Sequence, residues 1–417
     1  MKLKNLHWII FFLILIVGFY LRFYGIEAAQ NFGWDQGRDA WLVRDIIVKH
    51  VWVLNGPRTG VGHFHLGPLW YYLLVPFYYL TKLDPMGANY LNILVNVLNF
   101  FFIFWVSLKI FNKKTALFII FIYATNSYLI SINKTPWNVS LVPGIAALIF
   151  YAIYQVVLKN KYNFIFLISF LTGLFFHAHF SVIFLPLIII LSFILVKDKK
   201  KTLIYSFLSL PLFLVWLVPN FVYDLQTKYN NLNLFNNFFK DYLIGGFHLR
   251  FFLYRLYDAF IQFQTILSLP NISRFIVLII PALYFIFLIF EKSKEQKKLG
   301  YLISLWFLVP AFGYSLYAGS TSEYYMLMNS VLVIYIIFYI QKRILQWKFK
   351  PFLILIVIFW AGFTYFQTKD LWVKNDTGGL KKQKEEVKQR IVENKKISFN
   401  EGDIQAYLWQ IWKEDKK

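Results

Sequence analysis

NFGWDQGRDAW, residues 31–41, crowds Asp35, Gln36, Arg38 and Asp39 between Trp34 and Trp41. It comes shortly after IIFFLILIVGFYL (9–21), part of an apolar run long enough to cross a bilayer as a helix. A charged patch set where the chain leaves a membrane is a different object from a loop on a soluble domain, and the composition decides which one this is. The chain has 417 residues, 59% hydrophobic and 15% charged. A soluble domain is roughly a quarter charged. Apolar runs of helical membrane-crossing length recur near 7–24, 87–110, 115–132, 139–158, 162–178, 180–196, 202–219, 273–290, 299–317, 324–341 and 351–366. The expectation is an all-α polytopic membrane protein with about eleven transmembrane helices.

The net charge of +22 would suggest a nucleic-acid partner in a soluble protein. Here the Lys and Arg residues gather in short stretches between apolar runs: MKLK (1–4), KIFNKK (109–114), KNK (159–161), KDKKK (197–201), KSKEQKK (292–298) and 341–350. Alternating spans put all of them on one side, which the positive-inside rule makes the cytoplasm. The N-terminus is then cytoplasmic, in a multi-pass cell-membrane protein with no nucleic-acid partner. No small-residue cleavage site follows the first apolar run, so it reads as a retained span. The absence of cysteine excludes disulfides, thiolate metal sites and Cys nucleophiles.

The charge alternation also assigns two ambiguous segments. GPLWYYLLVPFYYLTKL (67–83) is short and interrupted by Pro68 and Pro76, and LRFFLYRLYDAFIQFQ (249–264) carries Arg250, Arg255, Asp258 and Gln262 as one helical stripe. Both are expected to lie at the outer interface rather than to span. Residues 1–366 then form one membrane domain with outer loops 25–86 and 220–272. Residues 367–417 form a basic extracytoplasmic tail with an amphipathic helix near 380–394.

Polar residues concentrate at consecutive outer turns. QGRDAWLVRDIIVKH (36–50) has the pattern of a short amphipathic helix. Asp35 is placed to be its N-cap, to carry chemistry at a membrane boundary, or both. In GVGHFHLGPLWYY (60–72), His63 and His65 would point the same way on an extended segment. They suit a phosphate or metal site, or simply a polar turn, and two histidines alone do not complete a metal site. INKTPWNVSLVP (132–143) sets Lys134 beside a turn at Pro136 and Asn138, with Trp137 as an interface anchor or part of an anion site. GLFFHAHFSVIF (173–184) brings His177 and His179 to an outer turn, where His179 is the one expected to face a cavity. PNFVYDLQTKYN (219–230) opens the second outer loop with Asp224 and Lys228, and GSTSEYYML (319–327) puts Glu323, Tyr324 and Tyr325 at the mouth of a late span. No P-loop, dinucleotide fingerprint, GxSxG or HExxH motif is present.

In this order the stretches resemble the GT-C membrane glycosyltransferases, in the branch of the protein O-mannosyltransferases and lipid A aminoarabinose transferases. A first span is followed by Asp35-Gln36 opening an outer helix. Then comes His65-Leu66-Gly67-Pro68-Leu69 with Tyr71 and Tyr72, and then the turn Thr135-Pro136-Trp137-Asn138. The match covers about the first half of the chain. The resemblance implies a GT-C-like bundle, a sugar donor on a polyprenyl phosphate embedded in membrane lipid, and an acceptor hydroxyl on protein, lipid or glycan. Asp35 would be the base, or a ligand to the acceptor or to a divalent metal, with no cofactor strictly required. Arg38, His65, Lys134 and Arg250 would face the lipid phosphate, and His63, Trp137, Asn138, His179, Asp224, Glu323 and Tyr324 complete the expected substrate site. The family pattern has Asp-Glu where this chain has Asp35-Gln36, and Lys-Pro-Pro where it has His65-Leu66-Gly67-Pro68, so a second carboxylate and a phosphate-binding lysine are missing. The competing expectation is a lipid or lipid-linked-sugar flippase without chemistry, which would favour ionisable residues near span centres and broken helices at the midplane; a purely structural protein would need neither the acid nor the histidines.

Overall fold

The computed structural model describes residues 6–30, 32–60, 62–244, 249–266, 274–317, 322–345, 379–393 and 404–414. The expected span at 351–366 lies outside them. Among the described residues the chain is helical, with a single isolated bridge between Arg58 and His65 and no strand. Among the described residues, five helices are long and apolar enough to cross a membrane: Leu6–Phe23, Met86–Ile110, Asn138–Lys159, Lys199–Gln226 and Lys294–Leu316. The expected spans at 162–178, 180–196, 273–290 and 324–341 are present as apolar stretches that fall short of that length, Phe164–Phe176, Phe180–Phe193, Ile279–Ile289 and Tyr324–Ile340.

The run expected to span at 115–132 is broken. Lys113–Thr125 and Ser127–Asn133 meet at an angle of 60°. Asn126 makes the break: its backbone is extended, and its side chain accepts from Leu129 N at 2.9 Å, capping the second helix. A break at this depth strands carbonyls that have no water to turn to. Arg22, in the last turn of Leu6–Phe23 and fully buried, supplies the donors. It donates to Ala124 O at 2.6 Å, Tyr123 O at 2.8 Å, Gly18 O at 3.1 Å and Asn133 Oδ1 at 2.9 Å, with its guanidinium over the rings of Phe100 and Tyr123.

Polar groups are not confined to the span ends, contrary to the expectation from sequence. Asn89, Asn92, Asn96 and Asn99 form a buried stripe along Met86–Ile110. Their spacing, three or four residues, places them on one helical face. Asn92 donates to Asn133 O at 2.7 Å, and Asn99 donates to Ser140 O at 2.8 Å while accepting from Gly144 N at 3.0 Å. Asn92 and Asn99 thereby fasten this helix to irregular backbone in neighbouring elements, while Asn96 donates back to Asn92 O within the helix.

The second large loop begins later than expected. Pro219 sits in the first turn of Val218–Gln226, where a missing N–H does no harm, and the helix runs on to Gln226. Leu249–Ile266 packs on Lys294–Leu316 with Ala259 buried and Phe260 edge-on to Phe307 at 5.0 Å, so it is part of the bundle wall. The tail contributes two helices, Leu380–Val392 and Ile404–Glu414, where one was expected. They pack on the first large loop, burying Leu380, Val387, Tyr407 and Leu408 with Val43, Trp70 and Tyr78 in a core separate from that of the bundle.

Arg22→Met strands the Ala124 and Tyr123 carbonyls. Each buried group left without a partner costs about 1–3 kcal/mol, so the variant is expected to unfold at a clearly lower temperature in detergent. Asn133→Leu removes one bond and is expected to do less. Equal midpoints for wild type and Arg22→Met would refute this account of the break.

Candidate active site

The first rim of the site is the start of Trp34–Lys49. Asp35 is not the cap of this helix. The cap is Gly33, and the first turn is closed by Gln36, whose Oε1 accepts from Gly33 N at 2.9 Å. This is the half of a capping box that a residue at the third helical position can make alone. Asp35 is thereby left in the first turn, favoured by the helix dipole and 56% exposed. Arg38 NH1 donates to Asp35 Oδ1 at 2.8 Å, while its Nε and NH2 donate to Asp39 Oδ1 at 3.0 and 2.7 Å. Asp39 is buried, not solvated, and its second oxygen accepts from Trp70 Nε1 at 3.0 Å. Burial pushes the Asp39 carboxyl above its ordinary value and Arg38 opposes that shift. One guanidinium therefore faces two carboxylates, and the group as drawn carries a net negative charge.

The second rim is a short hairpin over residues 56–67. Gly56 N donates to Leu66 O, Leu66 N to Pro57 O and Thr59 N to Phe64 O. The turn is tight because Gly62 and His63 both adopt positive φ, 76° and 58°. Glycine does so freely, whereas His63 is held there. This turn separates the two histidines that an extended segment would have aligned. His63 lines the cavity described below, and its carbonyl accepts from Arg58 Nε at 3.0 Å. His65 faces the second large loop: Nδ1 pairs with Gly56 O at 3.0 Å, its N–H donates to Asn231 Oδ1 at 2.5 Å, and its carbonyl accepts from Asn231 Nδ2 at 3.2 Å. Asn220 Nδ2 adds a bond to Leu66 O at 2.9 Å. Two asparagine side chains, Asn220 near the end of Lys199–Gln226 and Asn231 in the loop after it, thus fix the hairpin from the opposite side.

Between the rims lies a cavity of about 410 Å³. Its polar lining comprises Asp35, Arg38, Arg58, Thr59 and His63. Its apolar and aromatic lining includes Phe180, Ile183, Phe184, Phe238, Tyr314 and Tyr317, of which Phe180, Phe238 and Tyr317 pack around Phe64 of the hairpin. Trp137, Asn138, His179, Tyr324 and Tyr325 line it too. Trp137 and Tyr324 lie 4.8 Å apart, and His179 approaches the rings of Tyr324 and Tyr325 at 5.8 and 5.7 Å. Ser181 N donates to His179 Nδ1 at 3.1 Å, so the ring proton sits on Nε2. Burial pushes the His179 pKa down to about 4, which keeps the imidazole neutral near pH 7.

Of the residues expected from sequence, Asp35, Arg38, His63, Trp137, Asn138, His179 and Tyr324 meet at this cavity. Four do not line it. His65 holds the hairpin. Lys134 is buried at the C-terminal end of Ser127–Asn133. Asp224 accepts from Asn231 N at 2.8 Å and Leu232 N at 3.2 Å, starting the next helix. Arg250 is exposed on Leu249–Ile266. The Glu323 side chain lies outside the described residues. Arg58, Tyr314, Tyr317 and Tyr325 line the cavity and were not singled out from sequence, although Gly60 and Gly62 around the turn signalled the hairpin that carries Arg58. Among the described residues no three His, Asp or Glu side chains converge as a metal site.

No family model matches the chain, and no curated protein matches it at a significant level. Two solved structures do, both of ArnT from Cupriavidus metallidurans. One is bound to undecaprenyl phosphate (TM-score 0.51) and one is in the apo state (TM-score 0.53). The chain has the fold of ArnT. The superpositions cover 78% of this chain at 13% identity, so the likeness to ArnT is one of fold. The chain spans 59% and 58% of the length of the two ArnT chains. The all-helical bundle with its membrane-length helices is that of a multi-pass membrane protein.

His179 gives a pH signature. The unfolded imidazole takes up a proton as pH falls through its ordinary value of 6.5, whereas the folded one refuses it until about 4. Stability from this group is therefore present above pH 6.5 and is lost as pH falls toward 4. His179→Gln is expected to reduce the drop in thermal midpoint between pH 7 and pH 5, and an unchanged drop would show that His179 titrates normally.

Proposed function

We propose that this protein transfers a sugar from a polyprenyl-phosphate-linked donor to an acceptor hydroxyl at the outer face of the cell membrane, with Asp35 as the base. The observation that carries the proposal is one cavity lined both by a carboxylate and a guanidinium and by aromatic and aliphatic side chains. A lipid-linked sugar phosphate brings both kinds of group, a charged phosphate and an apolar chain. The ArnT fold supports the reading, since one of the ArnT structures is bound to undecaprenyl phosphate. The positive-inside argument supports an outward-facing site.

In the proposed step, the acceptor hydroxyl gives its proton to Asp35 as its oxygen bonds to the anomeric carbon. The bond from that carbon to the phosphate oxygen breaks on the opposite side, inverting the centre, and the electron pair leaves on the phosphate. Arg38 holds Asp35 in place and is itself neutralised by two carboxylates, which leaves it poorly suited to a phosphate. Lys134 and Arg250 do not line the cavity, and His179 is neutral. The cavity cation whose terminal nitrogens remain for a ligand is Arg58, tethered only through Nε to His63 O among the described contacts. Its fork matches two phosphate oxygens. His179 Nε2–H and the Trp137 and Tyr324 rings would orient the sugar. No step needs a metal, and the residues beside Asp35 do not form a metal site by themselves.

The test is sugar transfer from a labelled polyprenyl-phosphate donor by purified protein. Asp35→Asn is expected to lower kcat by about 10²–10⁴-fold, the usual contribution of a general base. Arg58→Ala is expected to weaken donor use by roughly 10- to 100-fold, the value of charge-assisted hydrogen bonds. Turnover that survives Asp35→Asn would remove the base assignment. Binding of donor without any turnover by wild-type protein would favour a flippase.

A further inference from the structure

One lysine near the far end of the chain grips both ends of the loop that carries Asp35. Lys384, on Leu380–Val392, is buried, and its Nζ lies 2.6 Å from Glu27 Oε1 and 2.8 Å from Asp84 Oδ1. Glu27 follows the first membrane-length helix, and Asp84 caps the next one by accepting from Met86 N at 2.8 Å. The two carboxylates therefore mark where the loop begins and ends. The sequence separations are 357 and 300 residues, so neither contact is a by-product of local folding.

Four further contacts set the tail on the same loop. Gln383 Nε2 donates to Phe32 O at 3.3 Å, just ahead of the helix that bears Asp35. Tyr407 donates to Leu83 O at 2.7 Å, beside Asp84, and its ring meets Trp41 edge to face at 5.4 Å. Gly379 crosses the backbone of Ala28 so closely that a Cβ at this position would collide with the Ala28 carbonyl.

We propose that residues 379–393 and 404–414 are a clasp for the catalytic loop, with Lys384 as its positioning residue. Two half-buried carboxylates drawn to one ammonium hold each other's place, because each is fixed only while the cation lies between them. Remove the charge and they repel, which frees the two ends of the loop together. The first turn of Trp34–Lys49 then loses its fixed origin, and with it the placement of Asp35 and Arg38 against the cavity. This proposal rests on the reading of Asp35 as the base.

The experiment uses full-length protein in detergent and two readouts: hydrogen exchange of the loop amides, and sugar transfer from a polyprenyl-phosphate donor. Lys384→Met keeps the bulk and removes the charge. It is expected to speed exchange in residues 26–40 and to lower kcat by about tenfold or more, because small misplacements of a reacting group are costly. The KM for donor is expected to change much less, since Lys384 does not line the cavity. Lys384→Arg is expected to restore both readouts. If Lys384→Met fails to fold, Glu27→Gln, a milder change at a partly exposed partner, is expected to move the same amides. Faster exchange confined to the tail helices, with the loop and kcat unchanged, would overturn the clasp. Wild-type protein that transfers no sugar while Lys384→Met still loosens the loop would instead overturn the assigned chemistry and leave the clasp standing.

Discussion

The guanidinium of Arg22 is the contact on which the site depends. Within a membrane a helix can break only where something else bonds the backbone groups set free. Arg22 does this for the break at Asn126, and through it the end of the first helix is fixed to the bend between Lys113–Thr125 and Ser127–Asn133. The Asp35 loop departs from one of these points and the Trp137–Asn138 turn from the other. The first rim of the cavity and the Trp137–Asn138 turn thus both start from elements fixed by a single planar cation. The buried asparagines continue the logic, as Asn92 and Asn99 take up the carbonyls of Asn133 and Ser140 on either side of that turn. An apolar bundle alone would pack these helices without fixing their register, whereas amide-to-backbone bonds admit few alternatives.

The cavity's electrostatics are arranged by pairing rather than by an excess of positive charge. The chain carries a net charge of +22, yet little of it reaches this space. Arg38 is spent on Asp35 and Asp39, and His179 is kept neutral by burial. What remains is a carboxylate, Asp35, and a guanidinium, Arg58, on a hairpin held by Asn220 and Asn231. Both side chains are exposed, so solvent and salt screen their charges and pairing geometry matters more than field strength.

Much of the fold class was legible because membrane-length apolar runs and the placement of Lys and Arg are one-dimensional signals. The loop helix at Trp34–Lys49, the short helix at Leu69–Leu80 and the first tail helix follow from periodicity and proline placement in the same way. The break at Asn126 was not legible, because an asparagine in an apolar run is as consistent with a polar interior residue as with a cap. Whether it caps is decided by Arg22, about a hundred residues earlier. His63 and His65 were paired by spacing and parted by a left-handed turn, which the alternation rule for extended chains cannot foresee. Arg58 carried no motif, and only the hairpin that brings it to the cavity sets it apart from other surface arginines. The cap at Gly33 was missed for a related reason: a glycine cap leaves its work to the residue three positions on, so Asp35 looked like the better candidate.

The Lys384 contacts bear on the order in which the molecule becomes complete. Chains emerge from the ribosome N-terminus first, and their early segments begin to fold before the late ones exist. Glu27 and Asp84 are made 357 and 300 residues before the ammonium that closes their loop. Until then the loop is present without its fastening. On the clasp proposal, fastening follows only when the tail is delivered to the same side of the membrane as the loop, so a chain cut ahead of Lys384 would carry every polar residue of the cavity and still lack the means to hold them.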